Sequence, residues 1–124
     1  MRLINALRFP LELIKAHWLL ITCLLFVAIA ILSLTPLPEL PATPGKDKTH
    51  HLIAYGALIF PTALRRPKHW IWMAVLCFAL SGAIEWIQPL ANRHMELADL
   101  AANALGILCG TAAGLLLGRL CREA

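Results

Sequence analysis

Asp47, Lys48, His50, His51 and Tyr55 open one apolar stretch of the chain, Glu85 and Gln88 close the next, and Asp99 and Asn103 open the last, with Arg93 and Glu96 between them. Acids, bases, amides and cations in this mixture are what a protein uses to hold a polar head group or to move a proton. Lys48 and Arg93 suit a phosphate or carboxylate, and Glu85, Gln88 and Asn103 can orient one. Asp47, His50, Glu85 and Asp99 have the types needed for general acid–base work. No serine, threonine or cysteine nucleophile stands out beside them; Thr49 is the nearest, so catalysis would need an activated water. Two histidines among several carboxylates can also bind zinc. However, neither an HExxH pattern nor a CxxC pair is present, and only Asp47 and His50 have a suggestive spacing, so no metal and no cofactor is assigned.

Helical spacing sharpens the set. His51 and Tyr55 are four apart, Glu85 and Gln88 three, Asp99 and Asn103 four, so each pair shares a helix face. The elements that carry them are apolar blocks. The chain has 124 residues, 60% of them hydrophobic, and a mean hydropathy of +0.72, against about 45–50% apolar in a soluble domain. Charges and prolines fall in short runs between the blocks, which is the pattern of membrane spans. Spans are expected at about 18–34, 48–64, 70–88 and 98–117, all within a single domain of residues 1–124. Residues 1–16 alternate Arg2, Asn5, Arg8, Glu12 and Lys15 with Leu3, Ile4, Leu7, Leu11 and Ile14, which predicts an amphipathic helix at the membrane surface, kinked or started at Pro10. A cleaved signal peptide is the rival, against which stand a long positive region and the lack of a clear small-x-small site. Pro36, Pro38, Pro41 and Pro44 make the first connection an extended loop. Fold class is therefore an all-α integral membrane protein with four transmembrane helices and an interfacial N-terminal helix.

Basic residues orient it. With the N-terminus inside, Arg2, Arg8, Lys15, Arg65, Arg66, Lys68, Arg119 and Arg122 are cytoplasmic, and Lys46, Lys48 and Arg93 are outside, a bias of eight to three that puts both termini in the cytoplasm. The net charge of +4 is thus a flanking pattern rather than a nucleic-acid stripe. The same topology brings the polar residues to one depth just inside the outer surface. A carboxylate within a span costs about 2.5–3.5 kcal/mol, so Glu85 must be paired, protonated or facing a wet cavity. Plainer roles stand beside these: Asp99 and Asp47 as helix caps, Tyr55 as packing, His17, His69 and His94 as interfacial residues, and Trp18, Trp70, Trp72 and Trp86 as interface anchors. Cys23, Cys77, Cys109 and Cys121 read as small apolar filler. Gly106, Gly110, Gly114 and Gly118 recur every fourth residue and leave a groove for a neighbouring helix or, alternatively, a lipid chain.

The ordered series Asp47-Lys48-x-His50, Tyr55, Glu85-x-x-Gln88, Arg93-x-x-Glu96-x-x-Asp99-x-x-x-Asn103, Gly106 and Gly110, with Pro36 and Pro41 upstream, resembles the VanZ-like family over about residues 20–118. The resemblance implies a small multi-pass protein of the bacterial cytoplasmic membrane. The family's namesake is associated with low-level resistance to teicoplanin, a glycopeptide carrying a fatty tail, without the remodelled wall terminus of vancomycin resistance. Carried over, the ligand-binding positions are Asp47, Lys48, His50, Tyr55, Glu85, Gln88, Arg93, Asp99 and Asn103; His51 is an extra histidine that the pattern does not demand. Three functional classes follow: a binding module for an envelope lipid, a lipid-linked wall precursor or a lipidated glycopeptide; a structural or partner subunit knitted by its polar residues; and an enzyme acting on an envelope lipid or wall precursor. The first is preferred, and an enzyme is the least favoured for want of a nucleophile. Expected partners are membrane lipids and such precursors, not nucleic acid.

Overall fold

A computed structural model describes residues 2–35, 46–87 and 97–123, apart from the side chains of residues 46–48 and 123. Five helices carry these residues: α1 (Arg2–Ala16), α2 (Trp18–Leu34), α3 (Lys46–Arg65), α4 (Trp70–Ile87) and α5 (Leu97–Glu123), and no strand occurs among the described residues. The expected proline loop and the connection holding Arg93 and Glu96 lie outside them, as does Gln88.

Local chemistry sets the ends. α2 carries no charge, contains neither glycine nor proline, and stops at Thr35, which is extended because Pro36 follows. α3 stops where Arg66 turns into the left-handed region (φ 53°), its N–H bonded to the Thr62 carbonyl at 2.8 Å, and Pro67 prevents continuation. α1 runs through Pro10 instead of starting there. The break falls at His17, where α1 and α2 diverge by 77°. α5 continues past Leu117, the expected end of the fourth span, to Glu123.

Polarity is arranged inside out. Leu19, Leu20, Leu24, Leu32, Ile71, Trp72, Leu105 and Leu108 are exposed, whereas Thr22, Thr62, Ser81, Glu85, Asp99 and Asn103 are buried. Such a continuous apolar exterior suits a lipid environment. By length and composition, α4 and α5 can each cross a membrane, and α1 with α2 forms a third candidate span bent in the middle. Four spans are not all met on this basis. α2 has only 17 residues, and the first turns of α3 are polar, Lys-Asp-Lys-Thr-His-His.

In lipid there is little hydrophobic drive between helices, so close packing has to hold them. α3 and α5 run in the same direction and make the largest contact of the bundle. Gly106 lies against the Leu52 carbonyl, Gly110 against the backbone of Gly56, Gly114 against Phe60 and Ala63, and Gly118 against Leu64. The glycine groove is therefore filled by a helix. α2 and α4 add Ile29, Cys77 and Ile84 to Tyr55, Leu58, Ile59 and Ile107 in the apolar core. α1 crosses the opposite end, where Arg8 Nη2 donates to the Cys121 carbonyl at 3.2 Å.

A methyl group on Gly110 would meet the Gly56 Cα at 2.8 Å and the Ile59 Cγ2 at 2.8 Å, with the Gly56 carbonyl nearer still, whereas one on Gly82 would find only Leu100 Cδ1 at 3.9 Å. Gly110→Ala should therefore lower stability by about 2 kcal/mol or more, as overpacking does. Gly82→Ala should be neutral or stabilise by up to about 1 kcal/mol through helix propensity. Thermal unfolding of both variants in one detergent checks the contrast.

Candidate functional site

α3 and α5 begin, and α4 ends, at the same end of the bundle. This is why residues distant in sequence meet there. The buried face of α3 carries His51, Tyr55, Leu58, Ile59 and Thr62, at intervals of three and four. Glu85 projects inward from the last turn of α4, and Asp99 and Asn103 do so from the first two turns of α5.

The contacts are specific. His51 Nδ1 lies 2.8 Å from Asn103 Oδ1. Because a carbonyl oxygen only accepts, Nδ1–H donates in this arrangement. The same nitrogen is 3.7 Å from Glu85 Oε1. One donor atom from each of His51, Glu85 and Asp99 lies within 4.8 Å of the others. The Tyr55 ring lies parallel to that of His51, with centroids 6.4 Å apart and planes 7° apart. Glu85 is 1% exposed and Asn103 0%, which makes this a core feature rather than a surface one. Chemically the group offers a base, two carboxylates, an amide and a phenol in a confined space: it can bind a cationic or hydrogen-bonding group, pass a proton, or ligate a metal.

Tyr55, Glu85, Asp99 and Asn103 are thus brought together. His50 is not among them; it faces outward and is exposed, and His51 occupies the cluster. The physical reason is helix phase. Neighbouring residues differ by about 100° around a helix, and Tyr55 fixes the inward direction four residues on. The i, i+4 relation of His51 to Tyr55 is the sequence signal for this. Asp47 and Lys48 lie in the first turn of α3, but their side chains are outside the described set, as are Gln88 and Arg93. Ser81, one turn before Glu85, is a buried polar residue that the motif does not single out; its hydroxyl donates to the Phe78 carbonyl at 2.6 Å.

Removing the Asn103 amide leaves the His51 nitrogen without that acceptor. Asn103→Ala should cost about 1–2 kcal/mol, while His50→Ala should stay within about 0.5 kcal/mol of the parent, as surface changes do. Unfolding midpoints in detergent decide between them; equal effects would place His50 in the core instead. Compared with models of protein families, with curated proteins and with solved structures, the chain matches none.

Proposed function

We propose that this chain is a multi-pass protein of the bacterial cytoplasmic membrane that binds an envelope amphiphile, with the polar cluster taking the head group. The observation that carries the reading is the convergence of His51, Glu85, Asp99 and Asn103 from three helices at one end of a bundle with an apolar exterior. Each carboxylate placed at membrane depth costs about 2.5–3.5 kcal/mol on insertion scales, an expense that ligand recognition would explain. A second feature fits the tail. An apolar groove of about 500 Å³ runs beside α3, lined by Ile21, Leu25, Ile53, Gly56, Phe60 and Ala113 among others. It begins within a turn of Tyr55 and has the shape and chemistry for an acyl or prenyl chain.

In this reading the bundle crosses the membrane four times, with α3 seating its polar first turns at the outer interface. α1 lies along the inner surface, in keeping with its 77° divergence from α2. Arg65 ends α3 and Arg66 and Lys68 follow it, and Arg119 and Arg122 lie near the end of α5, so the basic end is opposite the cluster. The positive-inside rule then places both termini in the cytoplasm and turns the cluster outward. The ordered motif that resembles the VanZ-like family narrows the amphiphile to a lipid, a lipid-linked wall precursor, or a lipidated glycopeptide such as teicoplanin. A structural role is the competing reading, favoured by the His51–Asn103 bond that ties α3 to α5.

Two measurements separate these readings. Native mass spectrometry of the purified protein should show co-purified lipid that is lost in Glu85→Gln, with the unfolding midpoint of that variant close to the parent; loss of thermal stability without any change in bound lipid would support the structural role instead. In a Gram-positive host at matched membrane levels, the parent chain should raise teicoplanin tolerance several-fold but not vancomycin tolerance, and Glu85→Gln should abolish the gain. No gain with the parent chain would sink the glycopeptide branch.

A further inference from the structure

We propose that His51, Glu85 and Asp99, with the Asn103 amide oxygen beside them, form a binding site for a single divalent transition-metal cation of the zinc type. The proposal stands on side-chain geometry and does not need the amphiphile reading.

The donor set is the first ground. Imidazole nitrogen and carboxylate oxygen are both ordinary ligand types for zinc and related first-row cations, whose catalytic sites keep three protein ligands and one exchangeable position. They come from α3, α4 and α5, so a cation would be enclosed on three sides. Their donor atoms lie within 4.8 Å of one another. Ligands at about 2.0–2.2 Å from a common metal can be at most about 4.4 Å apart, so a small side-chain rotation closes the set.

Asn103 is the second ground. It is completely buried, its Oδ1 lies 2.8 Å from His51 Nδ1, and its Nδ2 has no hydrogen-bond partner among the described residues. Adjacent ligands at about 2.0–2.2 Å from a tetrahedral cation are about 3.3–3.6 Å apart, so the pair would open by roughly half an ångström to admit one. The cation would replace the proton shared by Nδ1 and Oδ1, with the imidazole switching to its other tautomer. Rigidity is the third ground. The Tyr55 ring lies parallel to that of His51, and one turn further on, the contact of Gly106 with Leu52 locks α3 against α5. Ligands on helices held this firmly pay little to organise around a cation.

The test uses the whole chain in detergent, stripped with a chelator, loaded with Zn²⁺ and freed of excess by gel filtration, with bound zinc measured by mass spectrometry. One equivalent should be retained by the parent and by His50→Ala. Glu85→Gln and Asp99→Asn, which preserve shape, should each weaken retention more than tenfold, and His51→Ala should do the same. Asn103→Ala should weaken it roughly 10–100-fold, the range for residues supporting a ligand. Cobalt(II) substituted into the parent should give visible absorption from nitrogen and oxygen ligands, a readout independent of how the variants fold. A parent that retains no zinc overturns the proposal. So does zinc held equally by Glu85→Gln and Asp99→Asn, because exposed histidines or thiols would then be holding it. A parent that retains lipid but no zinc would leave the amphiphile reading standing while the metal site fell.

Discussion

Where the backbones of α3 and α5 touch at Leu52, Gly56, Gly106 and Gly110, neither helix can slide or turn without a collision, and the placement of every buried polar group follows from that. Lipid chains are as apolar as leucine, so in a membrane exclusion from water would not press such helices together. Close approach substitutes for it: backbone against backbone gives dense dispersion contact and allows Cα–H groups to approach carbonyl oxygens. A single turn toward the amino ends, the same register sets His51 opposite Asn103. α4 then only has to supply Glu85 from its final turn. The site is thus a by-product of a packing decision made by residues that have no side chains.

Polar groups inside and apolar groups outside reverse the order of a soluble core. Partners among the inward polar groups support the reversal, as His51 meets Asn103 and Ser81 meets the Phe78 carbonyl. It also separates two ends of one small molecule. Arg8 is tied to the end of α5 near Arg119 and Arg122, and the carboxylates of Glu85 and Asp99 are buried at the other end.

Much of this can be read from the chain alone, and the reasons are physical. Apolar blocks interrupted by Pro36, Pro44, Arg65 and Arg66 delimit helices, because proline and charge are what a buried or lipid-facing helix excludes. Glycine at every fourth position of α5 announces a close neighbour. What escapes is helix phase and helix fate. Adjacent histidines, His50 and His51, differ only in direction, and a motif match cannot choose between them; Tyr55 on the same face can. The polar first turns of α3 leave its span shorter than its 20 residues, and α5 runs on past the expected end at Leu117 through Leu120 and Cys121. Convergence within 4.8 Å is a property of three axes together, which no local pattern encodes.

Parallel packing of α3 and α5 has an electrical consequence. Peptide dipoles in the two helices add instead of cancelling, and both amino ends point to the level of Asp99 and His51. Each amino end is equivalent to roughly half a positive charge, and the carboxyl end of α4, which closes at the same level, sets roughly half a negative charge against them. The backbone therefore favours a charge on Asp99, in the first turn of α5, over one on Glu85, in the last turn of α4, and so makes the two buried carboxylates unequal.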